Sequence, residues 1–512
     1  MVETATTTTG GAGIQEALSA NEQLIVLDGV QIWSTDASTV SGDGGNVIFV
    51  GADAAVISYS GSGNDAAIFI DENVGVTPGI TVAEGASVIG QRNAITSQDN
   101  STALVNAGLI QARNLGADLI GDGSRVVNDG LVASAIIGLR VWDFGDIANN
   151  GTVSAESFGL VLRQGSGRVV NTGEVSADTA VYMGDGSGST APNMFTNTGE
   201  VIGESTGLRI VGQSAWINNS GTIAATTLGS RAVAIDFPSL DAFYQLNNSG
   251  TIQSAGIAYR GAGASDVIYN TGDIIGAIEL DAGDDVYQGR QGRAEGPITG
   301  GDGADTITGG DEGNDILGGD QDDVLRGRGG EDDIDGDDGE DLINGGAGDD
   351  DLSGGTGDDT VMGKAGDDDI AGGDGLDVLR GNAGDDTMFG GAGGDDIRGH
   401  AGDDAIGGGR GADLILGGRG DDVLTGGQFT DTFVMKRRND DDVVTDFENG
   451  TDVIDLQAFG FFAAQFNAEI LPALRSAGGG ATFLDLAVIG GQGSVLIQGL
   501  QFAQADASDF IL

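Results

Sequence analysis

The chain has 512 residues, with 22 Lys and Arg against 79 Asp and Glu, a formal charge of −57, 95 glycines, 5 prolines and no cysteine. That acid excess excludes nucleic acid as a partner, since phosphate binding needs clustered cations, and the absent cysteine removes disulfides and thiolate zinc sites. No apolar run reaches the ~18 residues of a membrane span, and so glycine-rich, proline-poor a chain suits repetitive β-structure with tight turns rather than a helical or α/β enzyme.

Residues 1–40 are expected to cap the end of a solenoid, because an open stack must be covered. They lack the basic and apolar regions of a secretory signal peptide, which by itself argues for a cytoplasmic protein. From 41 to 290 a loose repeat dominates. The phrase Asn-x-Gly-x-(Ile/Val) starts at Asn106, Asn128, Asn149, Asn171, Asn197, Asn219, Asn248 and Asn270, in steps of 22, 21, 22, 26, 22, 29 and 22. About 22 residues make one coil of a wide parallel β-helix with three short strands and three corners. The two long steps hold Pro192 and Pro238, where loops should leave the coil. Stacked asparagines can hydrogen-bond along the axis, so the sequons at Asn218 and Asn247 read as by-products of a ladder. Leu24 to Gly90 carries the same apolar runs in weaker register.

Twelve residues beyond these asparagines stand Asp118, Arg140, Val161, Met183, Arg209, Arg231 and Arg260. Flanks such as Gly138-Leu139-Arg140-Val141 place Leu inward and Arg outward. Arg140, Arg209, Arg231 and Arg260 are therefore expected to line an outward positive column that could hold an anionic polysaccharide or another subunit's acidic face. The alternative is local pairing with acids such as Asp236 and Asp266.

Between 291 and 434 the phrase shortens to nine residues: glycine at positions one, two and four, Asp at six, an apolar residue at eight. GGAGDDDLS at 345–353 and GGTGDDTVM at 354–362 are consecutive copies. The Asp recurs as Asp323, Asp332, Asp341, Asp350, Asp359, Asp368, Asp377, Asp386, Asp395, Asp404, Asp413, Asp422 and Asp431, with Asp305 and Asp315 as earlier copies offset by a one-residue slip. Two phrases make a flattened coil of 18 residues, so Asp350 should lie one coil from Asp368. Coils ~4.8 Å apart would set like charges against each other at roughly 3.5 kcal/mol in an effective dielectric near 20. One aliphatic side chain per phrase, worth about 1.5–3 kcal/mol, does not offset that and the cost of ordering nine residues.

This phrase resembles the calcium-binding nonapeptide of RTX proteins, a parallel β-roll. The resemblance implies calcium ions, on the order of a dozen, between successive loops, with the position-six carboxylates named above as ligands and glycine-rich backbone supplying carbonyls. Residues 301–431 hold 36 Asp and Glu against 7 Lys and Arg, which a set of divalent ions would largely neutralise. Without calcium, an acidic glycine-rich segment is expected to be disordered.

Residues 435–512 read as a C-terminal β cap. The runs Asp442–Phe447 and Gly450–Leu456 resemble the ends of RTX modules in secreted proteases and epimerases. A short helix broken by Pro472 is expected within 460–478. The ending Asp509-Phe510-Ile511-Leu512 resembles an uncleaved type I secretion signal, and an edge strand closing the cap is the alternative. The resemblance implies a type I exporter as partner, folding outside the cell, and an extracellular or surface location in a Gram-negative bacterium.

The fold class is thus all-β: two parallel β-solenoids in series, a wide helix and then an RTX roll, with a C-terminal β cap. Catalytic motifs are sparse. The single histidine, His400, excludes the H-E-x-x-H zinc helix of RTX proteases. Gly203-Glu204-Ser205-Thr206-Gly207 matches the letters of a nucleophile elbow but lies inside the wide repeat. The expected role is a structural or adhesive surface component capable of self-assembly. The alternative is a uronate-polysaccharide lyase or C5-epimerase with its groove on the wide helix.

Overall fold

The computed structural model describes residues 2–5, 9–11, 16–18, 23–27, 30–34, 40–43, 47–58, 66–71, 78–164, 166–184, 192–212, 214–228, 232–239, 242–437, 440–461, 465, 470–505 and 507–512. Among these, all regular structure is β-strand apart from short 3-10 turns. The chain divides into two compact units, Met1–Leu280 and Asp281–Leu512.

The first unit is a stack of parallel coils. A typical coil has strands Ala103–Asn106, Leu109–Ala112 and Leu115–Leu119, and each pairs with its counterpart in the next coil. Side chains alternate between the two faces of a strand, so one apolar residue per strand points inward. Leu24, Ile48, Ile80, Leu104, Val126, Ile147, Val169, Phe195, Ile217, Leu246 and Ile268 form one such buried file. Within residues 1–40, the described strand Val2–Ala5 already pairs in parallel with Gln23–Val26. The stack thus continues where a cap was expected.

At one corner the asparagines stack. Nδ2 of Asn106 donates to Oδ1 of Asn128 at 2.7 Å, and the chain of donors runs on through Asn149, Asn171, Asn197, Asn219 and Asn248 to Asn270. The glycine two residues after each asparagine lies under the coil before it. A Cβ on Gly173 would collide with the Gly151 carbonyl, so close stacking, rather than a special φ, demands glycine here. Of the two longer coils, residues 185–191 lie outside the described residues. The segment holding Pro238 turns Phe237 inward, stacked on Tyr244 with ring centroids 3.9 Å apart.

The second unit opens on a two-sheet roll with an 18-residue coil. Strands such as Leu342–Ala347 and Asp351–Thr356 belong to opposite sheets, and each pairs in parallel with the strand one coil on. The core is two files, one residue per strand. Ile307, Leu325, Ile343, Val361, Leu379, Ile397, Ile415 and Phe433 face Ile298, Ile316, Ile334, Leu352, Ile370, Met388, Ile406 and Leu424, all buried. Glycine takes the loop positions where the chain reverses; Gly357 and Gly375 have φ of 132° and 158°.

Beyond the roll, Ser494–Gln498 pairs in parallel with Asp441–Val444 and antiparallel with Ala481–Asp485. Phe510–Ile511 pairs in parallel with Val453–Asp455. Of the range 460–478 where a short helix is expected, residues 462–464 and 466–469 lie outside the described residues; around Pro472 the described chain forms a 3-10 turn, Leu471–Ala473. Proline is tolerated at a first turn, where its missing N–H has no intrahelical acceptor to lose.

Candidate metal centre

The position-six aspartates stand at the two edges of the roll, where loop joins strand, and all are buried except in one copy. Each carboxylate is split in function. Oδ1 accepts the main-chain N–H of the equivalent residue one coil earlier: Asp323 N–H to Asp341, 2.7 Å; Asp332 to Asp350, 3.0 Å; Asp359 to Asp377, 2.9 Å. Oδ2 meets no hydrogen-bond donor in Asp305, Asp323, Asp332, Asp341, Asp350, Asp359, Asp368, Asp377, Asp386, Asp395, Asp404, Asp413, Asp422 and Asp431. Fourteen unsatisfied, solvent-excluded oxygens in register are far from the usual satisfaction of buried polar atoms.

Burial, more than mutual repulsion, sets their acidity. Desolvation pushes Asp305, Asp386, Asp413 and Asp422 up to about 6. It pushes Asp323, Asp332, Asp341, Asp368, Asp377, Asp404 and Asp431 up to about 7. Neighbouring carboxylates add to this, and the accepted N–H works against it. Repulsion between stacked aspartates, expected from their spacing to dominate, is the smaller effect.

The glycine five residues before each aspartate completes the cradle. A Cβ on Gly300, Gly345, Gly363 or Gly408 would overlap Oδ2 of Asp305, Asp350, Asp368 or Asp413. On one edge the same Cβ would also meet the carbonyl oxygen of the glycine one coil on, as Gly354 does with that of Gly372. Carboxylate and carbonyl oxygens thus converge on a space that only a residue without a side chain leaves open. A second, exposed ladder runs the opposite way at position five: the N–H of Asp367, Asp385, Asp403 and Asp421 donates to Oδ1 of Asp349, Asp367, Asp385 and Asp403. The donor-free, all-oxygen environment fits a hard divalent cation such as calcium, which takes carboxylates and carbonyls in irregular geometry. The position-six aspartates with the position-one glycine carbonyls would hold it, and the bound ion would supply the missing counter-charge.

One expected ligand is displaced. Asp315 is exposed, at the first position of strand Asp315–Asp320, while Asn314 fills the buried slot. The Asn314 N–H donates to Oδ1 of Asp332 at 2.8 Å, and its own Oδ1 accepts from Gly310. The nine-residue register never slips; an amide stands where the aspartate was sought. Sequence reading also missed members at both ends. The Asp285 N–H donates to Oδ1 of Asp305, Asp422 to Asp442, and Asp431 to Asp452, across 20, 20 and 21 residues. Asp446 accepts from the N–H groups of Gly426 and Gly427. Their spacing departs from 18, so a fixed period passes over them.

The arginines of the wide helix do not form a uniform positive column. The aligned file reads Asp118, Arg140, Val161, Tyr182, Arg209, Asp236, Arg260. Arg140 donates twice to Asp118, at 2.8 and 2.6 Å. Arg209 and Arg260 both reach Asp236, at 3.4 and 3.7 Å, and Arg260 also bonds Glu279 at 3.2 Å. The longer coil after Asn219 brings Asp236 into the slot assigned to Arg231, which lies outside the described residues. Ser205 sits mid-strand in Glu200–Val211 and donates to the Asp178 carbonyl, so it is on no strand-turn-helix elbow. A shallow groove of about 270 Å³ on this helix is lined by Asn218, Asn247, Tyr269 and other neutral residues, without a carboxylate or cation to handle a uronate.

A family match agrees with the geometry of the roll. The family described as RTX calcium-binding nonapeptide repeat (4 copies) matches residues 298–325, 308–343, 326–361, 362–397, 372–406 and 398–433. Residues 298–433 are RTX calcium-binding repeats. A solution structure of the AlgE6R3 subunit from the Azotobacter vinelandii mannuronan C5-epimerase is similar at 29% identity over 26% of this chain and 80% of that one, with a TM-score of 0.21. No curated protein matches the chain. Among the described residues, no helix is long and apolar enough to cross a membrane.

Proposed function

We propose that this is a secreted protein whose RTX roll folds on calcium after type I export, and that it serves as a structural or adhesive component of the cell surface or matrix. The observation that carries the reading is the double row of buried Oδ2 atoms without donors. Such a row is costly to keep ionised and becomes favourable once divalent ions lie beside it. The ligand set is taken as the fourteen position-six aspartates with Asn314 in the fifteenth place, and ions on the order of a dozen. Coupling folding to calcium suits passage through an exporter as an unfolded chain and assembly outside, where calcium is plentiful. Phe510–Ile511 pairs with Val453–Asp455 in the folded unit, so an exporter reading that segment would have to do so before folding. A solenoid scaffold with a paired, structural arginine file supports a structural role over catalysis.

The test is circular dichroism of the whole chain during a calcium titration, then with excess chelator. A β-signal that rises with calcium and falls on chelation supports the reading. An unchanged spectrum and melting profile across the titration would remove it.

A further inference from the structure

One outer face of the roll is cationic along most of its length, and the other is acidic over its first four strands and neutral beyond, apart from Arg410. On one sheet, strands Val324–Gly329, Leu342–Ala347, Thr360–Ala365, Val378–Ala383, Asp396–Ala401 and Leu414–Arg419 hold Arg326, Arg328, Lys364, Arg380, Arg398 and Arg419, with Asp396 as their one acid. On the other, the four strands Asp315–Asp320, Asp333–Asp338, Asp351–Thr356 and Asp369–Asp374 hold nine aspartates and no Lys or Arg. Six of the seven Lys and Arg between 301 and 431 are thus sorted onto one face. Chance placement around a coil that repeats every nine residues would spread them over both.

Most of these cations are uncommitted. Arg328 pairs with Asp311 and Arg398 with Asp396, while Arg326, Lys364, Arg380 and Arg419 form no ion pair among the described residues. They alternate with half-buried or exposed Val324, Leu342, Met362, Val378, Leu414 and Leu416, so the face offers apolar contact between its charges.

We propose that this cationic sheet face packs against the acidic sheet face of a second copy of the chain. Both faces advance one strand per 18-residue coil, so with strands ~4.8 Å apart their charge rows share one period and can match over the four acidic strands. The four acidic strands of six residues span about 19 by 20 Å, roughly 400 Å² per partner, in the range of weak, transient contacts. Apolar burial of that size is weak, so charge pairing sets the affinity and salt opposes it. The contact joins two different faces, and each copy keeps one of each free, so it propagates rather than closes. It rests on the calcium reading, because both faces exist only in the folded roll; ions at the roll edges also relieve the repulsion between chains of charge −57.

The experiment is light scattering of the whole chain in saturating calcium, with circular dichroism on the same samples. Particle mass should grow with concentration at about 0.02 M NaCl and fall to that of one chain at about 0.5 M, where the Debye length is only a few ångströms. Arg326→Gln/Lys364→Gln/Arg380→Gln and Asp333→Asn/Asp351→Asn/Asp369→Asn should each weaken association about tenfold or more while the calcium-dependent spectrum stays as in the parent. Arg475→Gln, on strand Leu474–Gly478 beyond the roll's coils, should leave it unchanged. A folded chain that stays single at low salt overturns the proposal, as do particles indifferent to salt and to both triple variants. A chain that gains no β-signal with calcium removes the calcium reading itself, and the contact with it.

Discussion

The main-chain N–H of Asp350 donates to Oδ1 of Asp368, eighteen residues on, at 3.0 Å, while Oδ2 of Asp368 is buried and meets no donor. One carboxylate thus both closes the backbone of one coil and leaves an oxygen for something else. In the same slot the neutral Asn314 keeps its own N–H on Oδ1 of Asp332 one coil on, while its amide oxygen accepts from Gly310 within its own loop.

An amide oxygen accepts an N–H as a carboxylate oxygen does, so Asp368→Asn should retain the bond from Asp350 and lose only the charge. The midpoint of the calcium titration is expected to rise roughly tenfold, about 1.4 kcal/mol, with little change in the final spectrum. Asp369→Asn, at the exposed next position, should shift it far less. Equal midpoints for Asp368→Asn and the parent would mean that the buried oxygen does not bind the ion.

Gly363→Ala separates packing from charge. Its Cβ would occupy the space held by Oδ2 of Asp368 and crowd the rest of that side chain. Overpacking of this kind costs about 1–3 kcal/mol, and here it also closes the space offered to the ion. Thermal melts in saturating calcium should show a loss that further calcium does not recover. A melt superimposable on the parent would show that the cradle can widen.

The roll was legible in the sequence because three constraints repeat together: glycine under a carboxylate, aspartate at the edge, one apolar residue inward. Asn314 was not, since a search for acids passes over an amide and slides on to Asp315. Asp285, Asp442 and Asp452 lie where coils change length, and their role follows from which N–H they cap rather than from a count. The arginine file failed for a related reason. Counting from Asn219 assumes a coil of fixed length, whereas the inserted segment shifts the strand Val233–Asp236 and puts an acid between Arg209 and Arg260.

The wide helix should depend on its asparagines and not on calcium. Asn171 accepts from Asn149 and donates to Asn197 and to the Gly173 carbonyl, all buried. Asn171→Ala strands two neighbours at once, at about 1–3 kcal/mol for each unsatisfied group. A fall of several degrees in a melting transition that persists in chelator is the expected result. If only the calcium-dependent transition moved, the ladder would not be the element that holds these coils.

Acid should partly replace calcium in the roll. In the metal-free fold burial raises the edge aspartates from the ordinary 3.8 to about 6 or 7, so the folded state holds protons that the unfolded chain releases. For a group raised in this way, the stability it contributes is complete below the unfolded value of 3.8 and disappears as pH rises through 6 to 7. Chelated protein is then expected to show more roll structure at about pH 5 than at about pH 8, the reverse of the usual loss of carboxylate-stabilised folds in acid. Calcium must displace those protons, so its titration midpoint should fall to lower concentration across the same interval. Circular dichroism of chelated and calcium-loaded chain at both pH values decides it. A chelated roll as well formed at pH 8 as at pH 5 would mean that the buried carboxylates are neutralised by something other than protons or calcium.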